Sequence, residues 1–162
     1  MIVVSNASPI IFLWKIKKLD LLFKLYETIQ IPKKVFEELL KEKDDYFESY
    51  LPNFQVEKIE GKLLSFQLHE GESEAINLAI KKKANLILLD DKKARIVAKS
   101  MGLAVKGTLG LLLVFLNKKL ISYEEFKILF DNLINANFRI DIILYKETLK
   151  EAEEIAHRRK LR

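Results

Sequence analysis

Leu86-Ile87-Leu88-Leu89-Asp90-Asp91-Lys92-Lys93-Ala94-Arg95 is the stretch on which the fold turns. Four apolar residues in a row show no polar alternation, so a strand here must be covered on both faces. That is how a parallel sheet between helices reads. The two acids stop the strand, and either can cap a helix running to Met101-Gly102. Working outward, the same alternation repeats. Strands are expected at residues 2–5, Thr28–Ile31, Phe54–Ile59 and Leu103–Val105, with the period-two Phe54–Ile59 at an edge. Between and after them, helices are expected at Leu19–Tyr26, Lys33–Lys41, Gly71–Lys83, 108–117, 122–135 and 141–158. Ser8-Pro9 is read as the start of the first helix, with Ser8 its cap. Residues 44–52 carry no decisive pattern. Strands alternating with helices give an α/β fold with a mainly parallel sheet of about five strands. No linker, repeat or low-complexity run divides the chain, so residues 1–162 are treated as one domain.

In such sheets the working crevice lies at the carboxyl ends of the strands, which draws attention to Asn6 and to Asp90-Asp91. Capping explains one of the two adjacent acids but not both, and neighbouring carboxylates repel unless something compensates. The helix from Gly71 adds a third position. Ala75, Ile76, Ala79 and Ile80 share its apolar face, and Glu72 projects within roughly 10° of the centre of that face while Glu74 points away. An acid there either complements the helix dipole or belongs to a site. Glu37 and Glu38 flank the stripe of Val35, Phe36, Leu39 and Leu40 equally, and geometry does not separate them. A set of acids at strand and helix ends suits a hard divalent cation, magnesium or manganese, and the hydrolysis of a phosphodiester.

Composition sets outer limits. Apolar residues make up 49% and charged residues 31%, which fits a folded, soluble chain rather than a disordered one. With no cysteine, disulfides and thiolate metal sites are excluded, and a reducing cytoplasm is the expected setting. No apolar run reaches the roughly 20 residues of a membrane span, and the start lacks the pattern of a secretory signal. The net charge of +5 suits either a polyanionic partner or simple solubility. Lys15, Lys17, Lys18, Lys33, Lys34, Lys92, Lys93 and Arg95 are the cations placed to meet a phosphate backbone, with a solvated helix face as the plainer reading of each. His69 is read as a surface residue, and His157 to Arg162 as a frayed basic helix end. Ile10 to Trp14, and Phe126 to Leu133, carry more apolar surface than one helix face needs, which either a core or a partner could cover.

The order of motifs resembles PIN-domain proteins, and within them a prokaryotic subgroup grouped with VapC-type toxins. The residues that carry the resemblance are Val3 to Ile10, Ile31-Pro32 with Val35 and Glu38-Leu39, Gly71 to Ile76, Leu88 to Arg95, Lys106 to Leu112, and Asn137 to Ile140. The resemblance implies a three-layer α/β/α sandwich and a magnesium- or manganese-dependent ribonuclease. It implies Glu38, Glu72 and Asp91 as catalytic acids and Asn6, Glu38, Glu72, Asp90 and Asp91 as the metal residues, with Asn6 at the place of the usual first acid. It also selects Glu38 over Glu37. Ser8, Lys92, Lys93 and Arg95 become the expected RNA contacts. Toxin-type relatives imply a homodimer and a small antitoxin protein as partners. Asn6 is a departure, since an amide oxygen can face a cation but brings no charge. The competing expectation is a catalytically silenced PIN-fold module that binds RNA or a protein partner. A metal-binding signalling domain of the doubly wound type shares the acid pair but gives no reason for a core-facing Glu72.

Overall fold

The structure is a computed structural model that describes residues 1–42 and 44–161. Its elements run β1 (Val3–Ser5), α1 (Ala7–Lys15), α2 (Leu19–Leu25), β2 (Ile29–Pro32), α3 (Lys33–Leu40), α4 (Asp45–Glu48), a 3-10 turn (Leu51–Asn53) and β3 (Phe54–Glu57). Then follow α5 (Glu70–Lys82), β4 (Leu86–Leu88), α6 (Lys92–Ser100), β5 (Val105–Lys106), α7 (Thr108–Asn117), α8 (Tyr123–Asn135) and α9 (Ile142–Lys160). The sheet has five strands in the order β3-β2-β1-β4-β5, and every pairing is parallel.

The inner strands β1, β2 and β4 are buried on both faces because their side chains alternate between two helical layers. Val3, Ile29, Ile31, Leu86 and Leu88 enter one core with α1, α2, α7, α8 and α9. Val4, Ile87 and Leu89 enter the other, against Ala75, Ile76 and Ala79 of α5 and Ala94 and Ala98 of α6. The result is a three-layer α/β/α sandwich. Chain order runs outward from β1 in one direction and from β4 in the other, so the reversal lies between those two strands. Ser5 pairs with Leu88 there, and the Asn6 N–H donates to the Leu88 carbonyl at 3.1 Å. A switch point of this kind opens a crevice at the carboxyl ends of the strands. Asn6 and Asp90 stand on its two sides.

Several expectations need correction. Ser8 does not cap the first helix. The helix begins two residues earlier than a Ser8 cap would place it, with Asn6 at the cap position but making no side-chain cap bond, and Ser8 turns its hydroxyl elsewhere. The edge strand stops at Glu57, short of Ile59, and β5 lies one to two residues later than the apolar run suggested. The undecided stretch around residue 45 forms a short helix because the Asp44 carboxylate accepts from both the Phe47 N–H and the Trp14 indole, and Phe47 fills the core. The basic end is not frayed: α9 continues to Lys160, and Arg159 donates to the Leu116 carbonyl at 2.9 Å. Arg162 lies outside the described residues. Ile10, Leu13, Phe126, Phe130 and Leu133 are core, while Ile128 stays exposed. Among the described residues, no helix is long and apolar enough to cross a membrane.

Candidate active site

The end of β1 delivers Asn6 to the floor of an open cleft of about 400 Å³, walled by Ser8, Ile11 and Phe12 of α1, Glu38 of α3, and His69, Gly71 and Glu72 at the start of α5. Asn6 is 6% exposed, and its Oδ1 is enclosed with no hydrogen-bond partner among the described residues. Buried polar atoms in native proteins are nearly always paired, so an orphaned carbonyl oxygen facing a cleft marks a place where a ligand or ion can sit. Glu38 comes from the facing helix. It is half-buried while Glu37 is exposed, so the packing of α3 separates the two acids that its sequence left equivalent. A point one bond beyond the Gly71 Cα lies 2.5 Å from Glu38 Oε1 and 3.4 Å from Asn6 Oδ1, so both oxygens converge on the first turn of α5.

The acids here are held against their preference. Burial pushes the Glu38 carboxyl up, with Lys34, Lys41 and His69 pulling the other way. Burial also pushes Glu72 up, and the charges of Asp91 and Glu38 add to it, opposed by the His69 N–H. Carboxylate charges that raise the pKa of a neighbour, as those of Asp91 and Glu38 do for Glu72, are relieved by a cation. Glu72 accepts from the His69 backbone at 3.3 Å while the His69 ring caps the same turn, a reciprocal capping box. Asp91 caps α6, accepting from the Ala94 N–H at 2.8 Å, and is otherwise exposed. Among the described residues, no three His, Asp or Glu side chains are close enough together to hold an ion in common. The donor set still suits a hard cation: an orphaned amide oxygen, the Glu38 carboxylate beside it and Glu72 in the same cleft, all oxygen.

Asp90 behaves differently. Its Oδ1 accepts from the Thr108 N–H at 2.6 Å, and its Oδ2 accepts from the hydroxyls of Thr108 at 2.7 Å and Ser8 at 3.0 Å. It therefore ties the start of α1 and the start of α7 to the end of β4. Burial pushes its carboxyl up, against the pull of these donors and of Arg95. Gly107 makes the knot possible, since a Cβ there would lie 2.6 Å from the Arg95 guanidinium and 2.8 Å from Asp90 Oδ1. Asp90 borders a second groove with Lys92, Arg95 and Leu144, not the cleft that holds Asn6.

Of the expected RNA contacts, Lys92 and Lys93 are exposed. Arg95 donates to the Leu89 carbonyl at 3.1 Å, and Ser8 is engaged by Asp90. Lys18 pairs with Glu125 at 2.8 Å, while Lys34 pairs with Glu70 at 3.3 Å close to the cleft. Sequence reasoning gave no role to Gly71, to Thr108 or to Asn77. A Gly-Thr pair after a strand was a readable helix-start signal. A polar residue inside the α5 apolar run was another: buried Asn77 clamps the incoming loop, accepting from the Leu64 N–H and donating to its carbonyl.

Comparisons with known proteins bear on the family and the fold. The family model DUF3368, described as a PIN domain, matches residues 2–154. No curated protein matches the chain. Among solved structures, a PilT N-terminus domain protein from the hyperthermophilic archaeon Sulfolobus solfataricus P2 superposes with a TM-score of 0.54 at 22% identity. The match covers 72% of this chain and 94% of that one, and at such identity it speaks for the fold alone.

Proposed function

The chain belongs to the PIN-domain family, and from that premise we propose that it is a divalent-metal-dependent ribonuclease, the toxin of a toxin–antitoxin pair of the VapC type. The observation that carries the reading is the Asn6 carbonyl oxygen, buried at the switch point without a partner among the described residues, beside a carboxylate whose pKa burial raises. Asn6, Glu38 and Glu72 would hold magnesium or manganese, with Asp91 near enough for its charge to act on Glu72. Such an ion supplies positive charge to a phosphodiester and makes a water more acidic.

The protein groups divide the remaining work. Glu38 and Glu72 supply the negative charge that would hold and orient the ion, and carboxylate oxygens left over can accept a proton from a water approaching the scissile phosphorus. Lys34 lies near the same cleft, and Lys92 and Lys93 are free at the other side of the switch point to position the backbone phosphates. Phe12 and Ile11 give the cleft an apolar wall that limits water. At the start of α9, Ile142 and Ile143 are 64% and 67% exposed, apolar surface of the kind that a second copy or a small antitoxin would cover.

A silenced module that only binds RNA or a protein is the second reading. It is favoured by the amide at residue 6 and by the spread of the acids. Manganese titration by calorimetry, with an RNA cleavage assay in the same buffer, separates the two. The ribonuclease reading expects saturable binding and cleavage, both lost in Glu38→Gln and in Glu72→Gln. A wild-type protein that neither binds nor cuts leaves the silenced module.

A further inference from the structure

We propose that Gly71 is a positioning residue: its missing side chain is the space in which the Glu38 carboxylate lies beside the Asn6 carbonyl oxygen. What that carboxylate is for rests on the ribonuclease reading, but the steric coupling does not.

The backbone does not ask for glycine at this position. The glycines with positive φ are Gly61 and Gly102, whereas Gly71 sits inside the first turn of α5. Glycine is a poor helix former, so its use there runs against local preference. Space is the reason that remains. A Cβ at residue 71 would lie 2.5 Å from Glu38 Oε1, 3.3 Å from Glu38 Cδ and 3.4 Å from Asn6 Oδ1. The first two distances are too short for bare contact, so the carboxylate would have to swing away. Gly110, the glycine in α7, differs: a Cβ there meets nothing closer than Lys106 at 3.8 Å. Because the atom in the way is the end of a flexible side chain, an alanine at 71 displaces Glu38 without opening the fold. Helix preference and the needs of the cleft therefore pull in opposite directions at one residue, and the cleft has prevailed.

The test uses the full chain with Gly71→Ala, Glu38→Asp and the double variant. Thermal melts in chelator are paired with manganese titration by calorimetry. Gly71→Ala is expected to melt at or above the wild type while binding manganese about 10- to 100-fold more weakly, the range usual for a residue that orients a ligand. Shortening Glu38 by one methylene withdraws the carboxylate from the new methyl group. Gly71→Ala should therefore raise the melting temperature more in the Glu38→Asp background than in the wild type, and should cost no further manganese affinity there. Equal melting shifts in both backgrounds overturn the steric coupling. A Gly71→Ala protein that binds manganese as a metal-binding wild type does overturns the positioning role. A wild type that takes up no manganese overturns the ribonuclease reading alone, since the metal-free melts still decide the fate of the coupling.

Discussion

The two strand ends at the switch point carry similar residues and use them in opposite ways. After β4, Asp90 gives both oxygens to the protein, accepting from Thr108 twice and from Ser8 once. After β1, Asn6 gives its carbonyl oxygen to nothing, and Glu38 beside it is raised in pKa mainly by burial. One side is a knot that holds three elements together. The other is a set of acceptors left for something outside the chain. An acid at the end of a strand is therefore not evidence of a site by itself; what matters is whether its oxygens are already taken.

The comparison breaks first, and most heavily, at Asp90. Asp90→Ala leaves the Thr108 N–H and two hydroxyls without their acceptor in a half-buried knot, and should cost about 3 kcal/mol or more in urea unfolding. Asp90→Asn should cost much less. An amide still accepts on one side, the hydroxyls of Ser8 and Thr108 can turn to accept on the other, and burial already disfavours the charge. If Asp90→Ala unfolds like the wild type but abolishes metal binding, the roles of the two strand ends have been assigned the wrong way round.

How much of this was legible follows from the same contrast. Leu86 to Leu89 predicted a strand covered on both faces, and the alternation around it predicted the parallel sheet, because periodicity reports burial directly. Glu72 was legible for the same reason, since its angle on the helix put it on the core-facing line. Which of Asp90 and Asp91 is tied up was not legible. It depends on Thr108, eighteen positions away, and on Ser8, whose reading as a local cap was the obvious one. Gly71 was hidden more deeply. In the sequence it is a glycine before an acid, and only the approach of α3 shows what its missing methyl group leaves room for.

A second prediction sharpens the open side. Asn6→Asp adds a charge where Glu38 and Glu72 already repel. In chelator the variant should melt below the wild type, and in manganese it should gain more stability than the wild type does. A charge pair at about 4 Å near a surface is worth on the order of 4 kcal/mol. The easier desolvation of the amide offsets much of that, leaving roughly a 10-fold gain in affinity. An Asn6→Asp protein with unchanged manganese affinity would mean that residue 6 does not face the ion, and the orphaned oxygen would need another explanation.

The smallest effect is the most specific to the open side. Glu38 and Glu72 are raised in the fold, so the folded chain holds their protons more tightly than the unfolded chain does. As pH climbs from about 4 toward neutrality, the unfolded chain releases those protons first, and the stability they contribute is lost. Asp90 has the same sign and Asp44, held low by its hydrogen bonds, the opposite one. The total curve therefore mixes several groups, and the difference between wild type and Glu38→Gln isolates one. Urea midpoints measured in chelator should fall with pH less steeply in Glu38→Gln, so that the variant gains on the wild type toward neutrality. Manganese affinity should move the other way, rising over the same window as protons cease to compete for the carboxylate. A cleft that weakens the fold over the same pH range in which it comes to bind an ion is one whose acids serve the ligand and not the fold. A Glu38→Gln curve parallel to the wild type would show that the charge of Glu38 is already answered within the protein.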